Sequence, residues 1–128
     1  MRILLLDPDE YYHQQFHARM GQDFDVIPAR SLESAKKILS EKKTDLLLAE
    51  LLLEDGASFS IIKELRMQRD NSAVPVVIFS QIDNLEDIEA ALSLGVSGYF
   101  VKGKDEISDV HRLLLTLNSD PNLRISSE

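Results

Sequence analysis

Residues 45–56 read DLLLAELLLEDG. One carboxylate, Glu50, lies inside an otherwise apolar run from Leu46 to Leu53. The run is continuously apolar rather than alternating, the pattern of a strand covered on both faces in a parallel sheet. An unpaired charge in such surroundings costs several kcal/mol or is neutralised by a shifted pKa. The stretch therefore predicts a buried strand and, at its end, a partner for Glu50.

Working outward, RILLL (2–6), FDVIPA (24–29), VPVVIFS (74–80) and GYFV (98–101) join DLLLA (45–49) as candidate strands. Residues 3–6 and 76–79 share the continuous apolar pattern of 46–49. Segments of helical period separate these bursts. Tyr12, Phe16 and Met20 form one stripe of a helix from Asp9 to Met20. Ser31 can cap a helix whose Leu32, Ala35, Ile38 and Leu39 face inward. Phe59, Ile62 and Leu65 mark a third helix; Ile88, Ala91 and Leu92 mark a fourth, closed by Gly95. Ile107, Val110, Leu114 and Leu117 mark a fifth. Strict strand–helix alternation implies right-handed crossovers and a single doubly wound α/β sheet. The end of the chain, NSDPNLRISSE, has no period, so the reading is a domain over 1–118 and a tail over 119–128.

A chain of 128 residues suits one domain, and 44% apolar with 28% charged residues is ordinary for a globular protein. The formal net charge of −8 argues against nucleic-acid and anionic-membrane partners. No apolar run approaches the roughly 18 residues of a bilayer span, and Arg2 precedes only four apolar residues before Asp7. With no cysteine there are no disulfides and no thiolate chemistry. These features predict a cytoplasmic protein.

In an open α/β sheet, ligands collect beyond the carboxyl ends of the strands. Here those ends carry Asp7, Pro8 and Asp9, then Glu50, Ser80 and Lys102. Each has a plainer reading: Asp7 or Asp9 as a helix cap, Ser80 as a cap or turn residue, Lys102 as a solvated loop lysine. Glu50 is harder to dismiss, and a salt bridge to Lys102 is its cheapest solution. His13 and His17, an i, i+4 pair with Glu10 one turn earlier, make a surface metal site conceivable, but a solvated face is the better reading. His111 reads as exposed. No P-loop, G-x-S-x-G or G-x-G-x-x-G motif is present, and DPDEYY lacks the loop of an FMN site.

These residues carry a family likeness. LLLDPDE, DLLLAELLLEDGASF, VVIFS and ALSLGVSGYFVKGKDEI, in that order over roughly residues 2–118, resemble the receiver domain of two-component response regulators. The resemblance implies a (βα)5, flavodoxin-like sheet of strand order 2-1-3-4-5. It implies a phosphoacceptor at position 50, an acidic pair after the first strand whose first acid is Asp7 and whose second is the direct metal ligand, and a ligating backbone carbonyl at Leu52. It further implies a switch hydroxyl at Ser80, a rotating aromatic at Tyr99 and a phosphoryl-binding lysine at Lys102. A histidine kinase would supply the phosphoryl group, with Mg²⁺ as cofactor.

The sequence departs from that pattern. The acceptor is Glu50 instead of Asp, and the second acid of the pair is Pro8. Glu54 and Gly103 stand where the family keeps prolines. The extra methylene moves the nucleophilic oxygen by about 1.5 Å, and displacements near 1 Å can cost on the order of a hundredfold in rate. Pro8 offers Mg²⁺ no oxygen, and Asp9, at a helix start, need not point into the site. The departures predict a degenerate receiver: no catalytic residue, no cofactor, and a metal site weak or absent, with Asp7, Asp9, Glu50 and the Leu52 carbonyl as its candidates. The protein would then be a phosphorylation-independent interaction module. Its partner, or a second copy of the chain, would bind the face of helix 4, strand 5 and helix 5. The alternatives are a working phosphoacceptor served by a histidine kinase, and a small α/β enzyme using Asp7, Glu50 and Lys102 as acid–base groups.

Overall fold

The computed structural model describes residues 1–119. Five parallel strands, β1 (Arg2–Leu6), β2 (Asp25–Ala29), β3 (Leu46–Ala49), β4 (Val76–Ser80) and β5 (Gly98–Val101), pair in the order 2-1-3-4-5. Five helices alternate with them: α1 (Glu10–Met20), α2 (Leu32–Glu41), α3 (Phe59–Met67), α4 (Leu85–Ser93) and α5 (Ile107–Ser119). This is the doubly wound sheet that the apolar bursts predict. The fifth helix runs to Ser119, just into the predicted tail; the remainder of that tail lies outside the described residues. Among the described residues, no helix is long and apolar enough to cross a membrane.

The pleat sends successive residues of each central strand to opposite faces. Leu4, Leu6, Leu47, Ala49, Val76 and Ile78 face the layer of α2, α3 and α4, where Leu32, Ala35, Ile61, Ile62, Leu65 and Ala91 complete one core. Ile3, Leu5, Leu46, Leu48, Val77 and Phe79 face α1 and α5, against Phe16, Met20, Val110, Leu114 and Leu117. Both faces are covered, so β1, β3 and β4 are apolar at nearly every position. That coverage is the physical reason for the run that surrounds Glu50.

Three inward or outward assignments change. Leu92 is 51% exposed on α4, where Ala91 alone is buried, so the fourth helix turns its apolar stripe partly to solvent. His13 is buried, not solvated: its Nε2 lies 2.7 Å from the Asp7 carbonyl oxygen. His111 is half-buried, its Nε2 2.9 Å from Asp23 Oδ2 and its ring against Phe24. One element was not foreseen. Leu52–Leu53 and Gly56–Ala57 form a short antiparallel hairpin after β3. Asp55 at its tip accepts hydrogen bonds from the backbone N–H of Leu32 (2.9 Å) and Glu33 (3.1 Å), docking the hairpin on the start of α2.

Candidate functional site

Sheet hydrogen bonding continues one residue past several strands and fixes the residues there. Asp7 N–H donates to Ala29 O (3.0 Å), Glu50 N–H to Leu6 O (2.8 Å) and Lys102 N–H to Ser80 O (2.8 Å). Satisfying these backbone groups leaves each side chain only the pleat direction to take. Asp7, Glu50, Ser80 and Lys102 consequently converge at the carboxyl edge of β1, β3, β4 and β5.

The centre is the Lys102 ammonium, which bridges two carboxylates. Its Nζ lies 2.8 Å from Asp7 Oδ2 and 3.0 Å from Glu50 Oε1. Asp7 is 1% exposed and Glu50 3%, so this cation offsets much of the cost of burying both charges. The ammonium also lies over aromatic rings, with Nζ 4.2 Å from the Tyr12 centroid and 5.8 Å from that of Phe79.

Every oxygen of the two carboxylates has at least one donor. Glu50 Oε1 also receives the Gln81 N–H at 3.1 Å. Glu50 Oε2 accepts from Ser80 Oγ and from the Leu52 N–H, the latter at 3.2 Å. Asp7 Oδ1 accepts the Asp9 N–H at 2.8 Å. Ser80 Oγ in turn accepts from the Ile82 N–H at 3.0 Å, and the Tyr99 hydroxyl donates to Ile82 O at 2.6 Å. A continuous path thus runs from the Glu50 carboxylate through Ser80 and Ile82 to Tyr99 on β5. Ser58 Oγ donates to the Glu50 carbonyl, holding the backbone of the acidic residue from the hairpin side.

Charge states follow from these contacts. Desolvation pushes the Asp7 carboxyl above its usual value, against the opposing pull of Lys102 and the Asp9 N–H. Burial acts to lower Lys102, but its hydrogen bond and charge contact with Asp7, reinforced by Glu50, outweigh it and leave the ammonium above its ordinary pKa. Lys102 is therefore a fixed cation at neutral pH. Burial raises the Tyr99 phenol, keeping it a neutral donor to Ile82 O.

The remaining candidates stand elsewhere. Asp9 caps α1, its carboxylate accepting from the Tyr11 N–H at 2.9 Å. Pro8 contributes no side-chain oxygen, and Leu52 is engaged through its N–H. Among the described residues no group of three or more His, Cys, Asp or Glu side chains is arranged to hold a metal ion. His17 is exposed, and His13 is committed to the Asp7 carbonyl, so the pair on α1 makes no joint site. At Gly103 the backbone takes φ +87°, a conformation that proline, locked near −65°, cannot adopt. Asp105 organises this turn, its Oδ2 accepting the Val101 N–H at 2.8 Å while its own N–H donates to Val101 O at 2.8 Å.

The backbone donors of Leu52 and Gln81 were invisible in the sequence, because an N–H carries no residue signature. Ser58 had a signal, a hydroxyl at the foot of a helix, that fits capping equally well.

A family model for the response regulator receiver domain matches residues 3–114. The chain is similar to a probable transcriptional regulatory protein, y4xI, of Sinorhizobium fredii (strain NBRC 101917 / NGR234), with 31% identity over 118 residues, 90% of this chain and 50% of that protein. It is 32% identical over 104 residues to the KDP operon transcriptional regulatory protein KdpE of Escherichia coli (strain K12), 80% of this chain and 45% of that one. The chain spans about half the length of the curated relatives it matches. In fold it is similar to the crystal structure of a two-component response regulator from Clostridium difficile, with TM-score 0.84, 22% identity, and 95% and 98% of the two chains covered.

Proposed function

Since the chain belongs to the response regulator receiver domain family, we propose that it serves two-component signalling as a receiver without phosphotransfer, working as a protein-interaction module. One observation carries the reading: the carboxylate at the acceptor position is already saturated. Glu50 accepts from Lys102, Gln81, Ser80 and Leu52 together, the donors that would otherwise be available to an incoming phosphoryl group. The longer side chain places its own negative charge among those donors. Phosphoryl transfer depends on positioning and on charge neutralisation, and here both are spent on an internal contact.

The donor set does not fit Mg²⁺. That ion asks for near-octahedral oxygen ligation, while the site offers two carboxylates clamped by one ammonium. Pro8 adds nothing, and the Asp9 carboxylate is turned to the α1 backbone. The site has no metal-dependent step in this reading. Asp7, Glu50, Ser80, Lys102 and Tyr99 act as a fixed contact network that sets the conformation of the β4–α4 segment and β5. The output surface is the face of α4, β5 and α5, which meets a protein partner in the cytoplasm; a histidine kinase belongs to the same pathway.

Incubation with acetyl phosphate and Mg²⁺, followed by intact-mass measurement, tests this reading. The mass should stay constant. A gain of one phosphoryl group that disappears in Glu50→Gln would establish the alternative, a working phosphoacceptor.

A further inference from the structure

The α4 helix leaves an apolar pair uncovered. Leu85 is 68% exposed and Leu92 51%. Seven residues apart, they stand on one side of the helix, about 10 Å apart along its axis at 1.5 Å per residue. Glu89 lies between them on the same side and Glu86 borders it, both exposed. From Asp83 to Ser93 the sequence DNLEDIEAALS has four acids and no base. Lys104 is paired with Asp83 at 3.2 Å and offsets one of these charges.

Charge decides what can cover such a face. A two-fold contact between copies of this chain presents the same patch twice. Packing α4 against α4 would bring Glu86 and Glu89 of both copies into one contact with no base on either helix, and like charges juxtaposed cost several kcal/mol. A second copy packed α4 on α4 is therefore a poor occupant of this patch. An occupant with its own apolar ridge, flanked by lysine or arginine, buries Leu85 and Leu92 and neutralises Glu86 and Glu89 at once. We propose that α4 docks a basic amphipathic helical segment of another protein, with Leu85 and Leu92 as apolar anchors and Glu86 and Glu89 as the selecting charges. This deepens the interaction-module reading by giving the chemistry of the partner, and it rests on that reading only for the use of this face.

The probe is a synthetic helical peptide with two leucines seven residues apart, flanked by arginines. Two control peptides accompany it: one with glutamates for arginines, and a scramble of identical composition with its leucines on opposite sides. Binding is followed by backbone amide shifts of the whole chain, without any phosphoryl donor. The basic peptide should bind saturably, with shifts concentrated on α4 and β5. Leu85→Ser with Leu92→Ser should weaken it about tenfold or more, as truncating anchor residues does. Glu86→Lys with Glu89→Lys should weaken the basic peptide and favour the acidic one. All four sites are exposed, so these variants keep the fold, which circular dichroism checks.

Equal binding of the scramble, shifts spread over every acidic surface, or indifference to the leucine substitutions would overturn the proposal. So would sedimentation showing a dimer that the leucine substitutions dissolve. The two readings fail separately. A chain that takes a phosphoryl group yet still binds the basic peptide refutes the phosphorylation-independent reading and keeps this one. A chain with constant mass that ignores the peptide does the reverse.

Discussion

Replacing Lys102 by methionine removes the shared cation and little else. Methionine nearly matches the lysine stem in volume, so the change isolates the ammonium, with its contacts to the Tyr12 and Phe79 rings, from volume. It leaves Asp7 and Glu50, at 1% and 3% exposure, without the ammonium 2.8 and 3.0 Å away. Stripping one partner from a buried ion pair costs about 3–5 kcal/mol because the remaining charge stays buried. A domain stable by roughly 5–15 kcal/mol would survive, but with a much reduced margin. The loss has a definite pH signature. Desolvation already holds Asp7 above its ordinary value while Lys102 pulls it down, so without the lysine it rises further. The folded variant then binds protons more tightly than its unfolded chain. Its stability must fall as pH rises through the folded pKa and recover as pH drops toward the unfolded value. Urea titrations followed by far-ultraviolet circular dichroism at about pH 5 and about pH 7.5 should therefore show a larger wild-type-minus-variant gap at the higher pH. Adding Glu50→Gln should restore part of the loss. A gap below about 1 kcal/mol, the range of an exposed ion pair, or one that is the same at both pH values, would refute the buried-bridge account.

Other consequences follow from the same contacts. Ser80→Ala removes the donor to Glu50 and the acceptor of the Ile82 N–H; it should cost about 1–3 kcal/mol in a urea titration and loosen the Tyr99 ring, read from its line shape. Wild-type Lys102, raised above its ordinary pKa, contributes stability that is complete below pH 10.5 and is lost as pH rises through its folded value; in urea titrations the wild-type advantage over Lys102→Met should therefore shrink as pH rises above 10.5. Asp55, held below its ordinary value by the Leu32 and Glu33 N–H groups, contributes stability above pH 3.8 that is lost as pH falls through its lower folded value; Asp55→Ala should speed hydrogen exchange at those two amides and leave the central strands unchanged. Restoring both acids (Pro8→Asp with Glu50→Asp) should create saturable Mg²⁺ binding by calorimetry, and its absence would undo the assignment of positions 8 and 50.

The sheet was legible because burial on both faces writes itself into sequence as unbroken apolar runs. Glu50 and Lys102 were legible as a pair because a charge inside such a run has few affordable partners. What escaped notice depends on backbone groups or on competing periods. The hairpin at 52–57 hides because Leu52 and Leu53 read as a continuation of the strand, although the chain bends at Leu51. His13 shares the i, i+3, i+7 stripe with Phe16 and Met20, both buried, so the period gave a signal. The i, i+4 relation to His17 and the polarity of imidazole pointed the other way. Leu92 adjoins the inward Ala91, and period alone does not say that a short helix shields only one column of side chains. The donors from Leu52 and Gln81 depend on loop conformation, which side-chain identity does not encode.

The account turns on whether Glu50 is a fixed contact or an acceptor. The most direct measurement is intact mass after acetyl phosphate and Mg²⁺, taken side by side on the wild-type chain and on Pro8→Asp with Glu50→Asp. The account predicts an unchanged wild-type mass and a phosphorylated double variant. A wild-type chain that gains a phosphoryl group, with the gain abolished by Glu50→Gln, would contradict it.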